Sequence, residues 1–289
     1  MKRSLILLCA ILCYVGLLGC SPIDKPAQIV ATTLPIYDFT EQICSGTDIK
    51  VARLINEEIA CLHDYSLQVS QMQALESAEV VLTSGAGLED FLEDVKAKIP
   101  NVVDLSTNIS LIHEEGHTHH NDGECADPHY WLSPNNSKIM ATNICQSLTK
   151  VYPEHKAIFE NNLIELNAKL EKLQNYADSQ LKDLSNRKLI TFHDGFSYMA
   201  DAFNLEIIHS VAEESGSEAS AQELIALSKL IKEHGIPAIF TEKNGSTSAA
   251  TIIANEMNIK SFPLDMAMSG DSYFDAMYHN INTLKEALE

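Results

Sequence analysis

PEHKAIFENNLIELNAKLEKLQNYADSQLKDLSN, residues 153–186, is the stretch on which the fold turns. Phe159, Leu163, Leu166, Leu170, Leu173, Ala177, Leu181 and Leu184 recur at spacings of three and four, while Glu, Lys, Gln and Asn fill the opposite face. With 3.6 residues per turn those apolar side chains share one stripe, which predicts a single amphipathic helix from near Pro153 to near Ser185-Asn186. At ~1.5 Å per residue it would span ~45 Å, longer than one small lobe needs. A coiled-coil arm would carry the same stripe. Strand–helix units lie on both sides of it, however, and offer two sheets for the stripe to cover, so a strut along two lobes is the expectation.

Upstream, Ile29 to Thr33 is a short β-rich run stopping at Pro35, and Tyr37 to Cys44 has helical spacing that Ser45-Gly46 ends. Ile49 to Leu54 reads as a strand, Ser70 to Ala78 as a helix, Val80 to Thr83 as a strand, Glu89 to Ile99 as a helix and Val102 to Leu105 as a strand. Gly85-Ala86-Gly87 lacks the third glycine of a dinucleotide fingerprint and no GK[ST] follows, so it reads as a tight strand-to-helix turn. A helix from Pro134 through Lys150 precedes the long one. Downstream the plan repeats, with strands over Lys188–Phe192, Leu205–Val211, Ala238–Thr241 and Ile259–Phe262 and helices over Ser197–Phe203, Ala221–His234, Thr247–Met257 and Ser272–Leu288. The expected fold is α/β with two lobes, residues 29–152 and 187–289. Each is a mainly parallel sheet flanked by helices, and the rigid helix 153–186 joins them beside a cleft.

The chain opens with Lys2-Arg3, an apolar run from Leu5 to Leu18, and Leu17-Leu18-Gly19-Cys20, which resembles a bacterial lipobox. On that reading residues 1–19 are a signal peptide, Cys20 is acylated into membrane lipid, and residues 20–28 are a tether. The 14-residue apolar run falls short of the ~20 residues that span a bilayer. A formal charge of −20, with no basic stripe, excludes nucleic acid as a partner. Beyond Cys20, the cysteines of the mature chain are Cys44, Cys61, Cys125 and Cys145, an even number that permits up to two disulfides in an exported protein, and none has CxxC spacing.

HEEGHTHHNDGECADPHYWLSP, residues 113–134, interrupts the strand–helix repeat. His113, His117, His119 and His120 sit among acidic and small polar residues that cannot build a core, whereas Pro128 and the bulky Tyr130-Trp131-Leu132 fix His129 in place. The contrast predicts one fixed metal ligand beside a metal-collecting loop at 113–124. His63, His193 and Asp265 follow predicted strands or their loops, where ligands sit in parallel sheets. Any one of these alone would be read as structural. Together, three imidazoles and a carboxylate complete a four-coordinate shell, and a closed shell suits holding an ion rather than activating water.

His63-Asp64-Tyr65, the His-rich loop leading to Asp127-Pro128-His129-Tyr130-Trp131-Leu132-Ser133-Pro134, Thr191-Phe192-His193-Asp194-Gly195-Phe196, and Leu264-Asp265 followed by Tyr273 and Asn280 resemble the zinc- and manganese-specific solute-binding lipoproteins of bacterial ABC transporters. The similarity covers nearly the whole mature chain. It implies metal ligands at His63, His129, His193 and Asp265, with Glu242 or water as the alternative fourth ligand, and delivery of the ion from the outer face of a cell membrane to an ABC permease by a monomeric carrier. The family's manganese-type site has a carboxylate where this chain has His193, so the resemblance points to Zn(II) as the transported ligand, with manganese or another divalent metal as the alternative. A surface adhesin or zinc buffer on the same fold is a further alternative. A zinc hydrolase would want an open coordination position and a frame such as HExxH, which is absent from the sequence. If His63 and His129 bind one ion, their nitrogens lie ~3.3 Å apart, bringing Cys61 and Cys125 within reach of a disulfide; the competing pairing is Cys61 with Cys44.

Overall fold

The computed structural model describes residues 27–58, 62, 65–99, 101–113, 126–211 and 220–289. The first half builds a four-stranded sheet from β1 (Ile29–Ala31), β2 (Val51–Arg53), β3 (Val80–Thr83) and β4 (Val102–Asp104). The second half builds another from β5 (Lys188–Thr191), β6 (Glu206–Ser210), β7 (Ala238–Glu242) and β8 (Lys260–Leu264). Their orders are β2-β1-β3-β4 and β6-β5-β7-β8, and every pairing is parallel. Both sheets therefore reverse direction between their two central strands, and such a switch point leaves a crevice beyond the strands' carboxyl ends. Pro263 is tolerated in β8 because that strand lies at a sheet edge.

The helices are α1 (Leu34–Cys44), α2 (Val69–Ser77), α3 (Pro134–Val151), α4 (Lys156–Gln180), α5 (Ser197–Ala202), α6 (Ala221–His234), α7 (Ser248–Met257) and α8 (Tyr273–Leu288). Pro35 lies inside α1 rather than stopping the chain before it, because a first-turn residue needs no backbone N–H. The helix expected over Glu89–Ile99 is replaced by two 3-10 turns, Asp90–Leu92 and Lys96–Lys98, whose backbone bonds all run between residues three apart. Glu89 pins the start of this segment. Its carboxylate turns inward to accept the Thr32 hydroxyl at 2.6 Å and the Ser84 and Gly85 N–H groups at 2.7 and 2.9 Å.

The long helix is real but shorter than its stripe. Pro153–His155 is a 3-10 turn, α4 runs for 25 residues or ~38 Å, and the Arg187 guanidinium ends it by taking the Leu181 carbonyl at 2.6 Å. Its buried face is Phe159, Leu166, Leu170, Leu173 and Ala177, as the spacing requires. Asn162 donates to the Ile43 and Ser45 carbonyls and Lys169 to Gln42, all in the first half; Gln174 donates to the Ala202 carbonyl and Tyr176 to Asn282, in the second. One helix thus braces both sheets. The main hydrophobic core runs through both halves, from Phe39 and Trp131 to Tyr273 and Leu284, and a smaller cluster around Leu227, Ile239 and Ile253 belongs to the second half alone. Among the described residues no helix is long and apolar enough to cross a membrane.

Candidate metal centre

His129 stands just before a 3-10 turn, Tyr130–Leu132, whose three side chains are fully buried. Tyr130 donates its hydroxyl to the Ser84 carbonyl at 2.7 Å, and the Trp131 indole donates across the lobes to the Met266 carbonyl at 2.8 Å. Arg53 to Gly270 and Leu34 to Met268 close the same boundary. The backbone under His129 is therefore anchored to both sheets. Asp127 orients the ring: one of its oxygens, Oδ1, accepts the His129 backbone N–H and lies 2.8 Å from Nδ1. A proton held on Nδ1 in this way leaves Nε2 as the free lone pair for a metal.

His193 comes two residues after β5, at the switch point of the second sheet. Its Nδ1 lies 3.5 Å from Glu242 Oε2 at the end of β7, so each imidazole has a carboxylate at Nδ1. The two rings sit edge-to-face with centroids 5.5 Å apart at 78°. Gly195 permits that approach, since a Cβ there would lie 2.6 Å from His129 Nδ1 and 2.5 Å from Met266 Cε.

Asp265 is the first residue after β8. Asn280 clamps its backbone on both sides, accepting its N–H at 2.8 Å and donating to its carbonyl at 2.7 Å. Its Oδ1 takes the Ala267 N–H at 2.8 Å and its Oδ2 takes the Lys243 ammonium at 2.9 Å. The structure thus brings His129 and His193 together and sets Asp265 on the same sheet edge with its carboxylate on a lysine. His113 is exposed at the base of its loop, paired with Ala126 in an antiparallel bridge. His63, His117, His119, His120, Cys20, Cys61 and Cys125 lie outside the described residues. Cys44 and Cys145 are buried free thiols, which removes the competing Cys61–Cys44 pairing, and burial pushes the Cys44 thiol up to about 12. Among the described residues no three His, Cys, Asp or Glu side chains are grouped closely enough to hold an ion.

Sequence reasoning assigned no role to Asp127, Gly195 or Lys243. An acid two residues before a candidate ligand was a usable signal for Asp127. Lys243 had none, because its neighbour Asp265 is 22 residues away in the chain.

The family model for the zinc-uptake complex component A, periplasmic (ZnuA), matches residues 29–287. The zinc-binding protein AdcA of Streptococcus pyogenes serotype M3 is 28% identical over 290 residues, covering 91% of this chain. This chain spans only 56% of that relative's length. A crystal structure of ZnuA superposes with a TM-score of 0.80 at 28% identity, over 92% of this chain and 100% of that one. A zinc-bound deletion mutant of ZnuA gives 0.78 at 29% identity, over 92% and 99%. With the family match running through both sheets and the helix between them, the chain belongs to the ZnuA family of periplasmic zinc-uptake components.

Proposed function

We propose that this protein captures Zn(II) in the crevice between its sheets, through His63, His129, His193 and Asp265, and delivers it as cargo to an ABC-type permease. The facing pair His129–His193 carries the reading. With Zn–N bonds of ~2.0–2.1 Å and a tetrahedral angle, two ligating imidazoles would have ring centroids roughly 5.2 Å apart. The observed 5.5 Å fits that spacing. Carboxylates at both Nδ1 atoms support nitrogen ligation through Nε2, and they make Glu242 an orienting group rather than the fourth ligand. A nitrogen-rich set favours zinc over manganese.

Acylation of Cys20 would hold the monomeric carrier at the membrane, outside the cytoplasm. With Cys44 and Cys145 free and buried, Cys61–Cys125 is the disulfide we assign, to be checked by peptide mapping without reductant. The metal reading is tested by competition titrations with chelators. Zn(II) should bind far more tightly than Mn(II), and His129→Ala or His193→Ala should each weaken zinc at least ~100-fold. Equal affinities for the two metals, or either alanine variant within threefold of the parent for zinc, would overturn it.

A further inference from the structure

Lys243 stands where the cargo must go. The parallel register pairs Glu242 with Leu264, and the Lys243 N–H extends the ladder to the Leu264 carbonyl at 2.8 Å, so the next step outward sets Lys243 beside Asp265. Of the two Asp265 oxygens, Oδ1 is committed to the Ala267 N–H, and Oδ2 is the one the ammonium takes. Asn280 pins the Asp265 backbone on both sides, and the carboxylate is only 10% exposed against 51% for the lysine. When an ion claims Oδ2, the lysine is therefore the partner that moves.

We propose that Lys243 is a tethered competitor for the metal. It holds Asp265 Oδ2 and swings out toward solvent when an ion claims that oxygen, so that it tempers affinity and speeds release of the cargo. An ammonium and a divalent ion cannot share one carboxylate oxygen without repulsion, and an ordered lysine refills the seat as the ion departs. The half-exposed lysine sets the scale of the effect at roughly 2- to 5-fold in affinity. The idea rests on Asp265 being a ligand, as proposed above.

The test uses the full chain with Lys243→Met, Lys243→Arg, Asp265→Asn and the Met/Asn double variant. It measures zinc affinity by chelator competition, release rate by stopped flow into excess chelator, and the visible spectrum of the Co(II)-substituted protein. Lys243→Met should bind zinc more tightly and release it more slowly, Lys243→Arg should stay near the parent, and the gain should vanish when Asp265 is already Asn. Lys243→Met with unchanged or weaker affinity, while Asp265→Asn weakens binding and alters the Co(II) spectrum, would sink the competitor and leave the site reading standing. Asp265→Asn with unchanged affinity and spectrum would instead remove Asp265 as a ligand, and the competitor with it.

Discussion

Asp127 uses one oxygen twice, holding both the backbone N–H and the ring Nδ1 of His129 at 2.8 Å. Its other oxygen, Oδ2, is buried with no hydrogen-bond partner among the described residues, an arrangement whose cost is accepted at the site. Asp127→Ala should free the imidazole to rotate and change tautomer, weakening zinc roughly 10- to 100-fold in chelator competition. An unchanged affinity would show that Trp131 and Tyr130 alone hold the ring. Gly195 makes a steric prediction. Its backbone conformation is open to any residue, but an added methyl meets Met266, which can swing aside, and His129, which cannot without leaving Asp127. Gly195→Ala should therefore weaken zinc by roughly tenfold with little loss of thermal stability, and a lowered Tm at parental affinity would place the clash elsewhere.

Between β3 and β4 the structure puts a carboxylate where the apolar spacing predicts an ordinary helix. Burial pushes Glu89 up to about 7, with a further push from Asp104, against the opposing hydrogen bonds from Thr32, Ser84 and Gly85. The folded value lies above the ordinary 4.5, so its stabilising contribution is complete below pH ~4.5 and is lost as pH rises through 7. The loss is on the order of 3 kcal/mol across that window. Urea midpoints of Glu89→Gln at pH 5.5 and 8.5 should differ less than those of the parent; an equal difference would assign the pH dependence to other groups. The element matters to the site, because the Ser84 that Glu89 binds through its N–H also accepts the Tyr130 hydroxyl next to His129.

At the scale of the molecule, the His-rich loop and the centre meet at one hydroxyl. Tyr198, on α5 of the second half, accepts the Ile112 N–H at 2.8 Å and donates to the Asp127 carbonyl at 2.9 Å, while the Asp127 N–H returns to the Ile112 carbonyl. The loop's base is thus closed by backbone bonds and one tyrosine hydroxyl, and the acidic and small polar sequence of 114–124 leads us to expect that each ion its histidines take must offset ordering entropy. Deleting residues 114–124 should leave one tight zinc site and remove weaker ones in a titration. Loss of the tight site would make the loop part of it.

What local spacing controls is legible in the order of the amino acids. The α4 stripe, the parallel strand–helix alternation, β3 and α6 at their observed limits, and the rigid placing of His129 by Tyr130-Trp131-Leu132 all follow from neighbours within a few residues. The candidate ligands were legible because they follow strands at the ends where parallel sheets hold ligands. Strand order and register decided the rest. Glu242 beside His193, Lys243 on Asp265, Trp131 on Met266 and Gly195 under His129 join residues 22 to 135 positions apart. No local pattern encodes such meetings, since a one-residue change of register would exchange every partner. The same long-range closure drew Glu89 inward and turned an expected helix into 3-10 turns, because a buried carboxylate is stable only where three donors, one just after β1 and two in the turn after β3, converge on it.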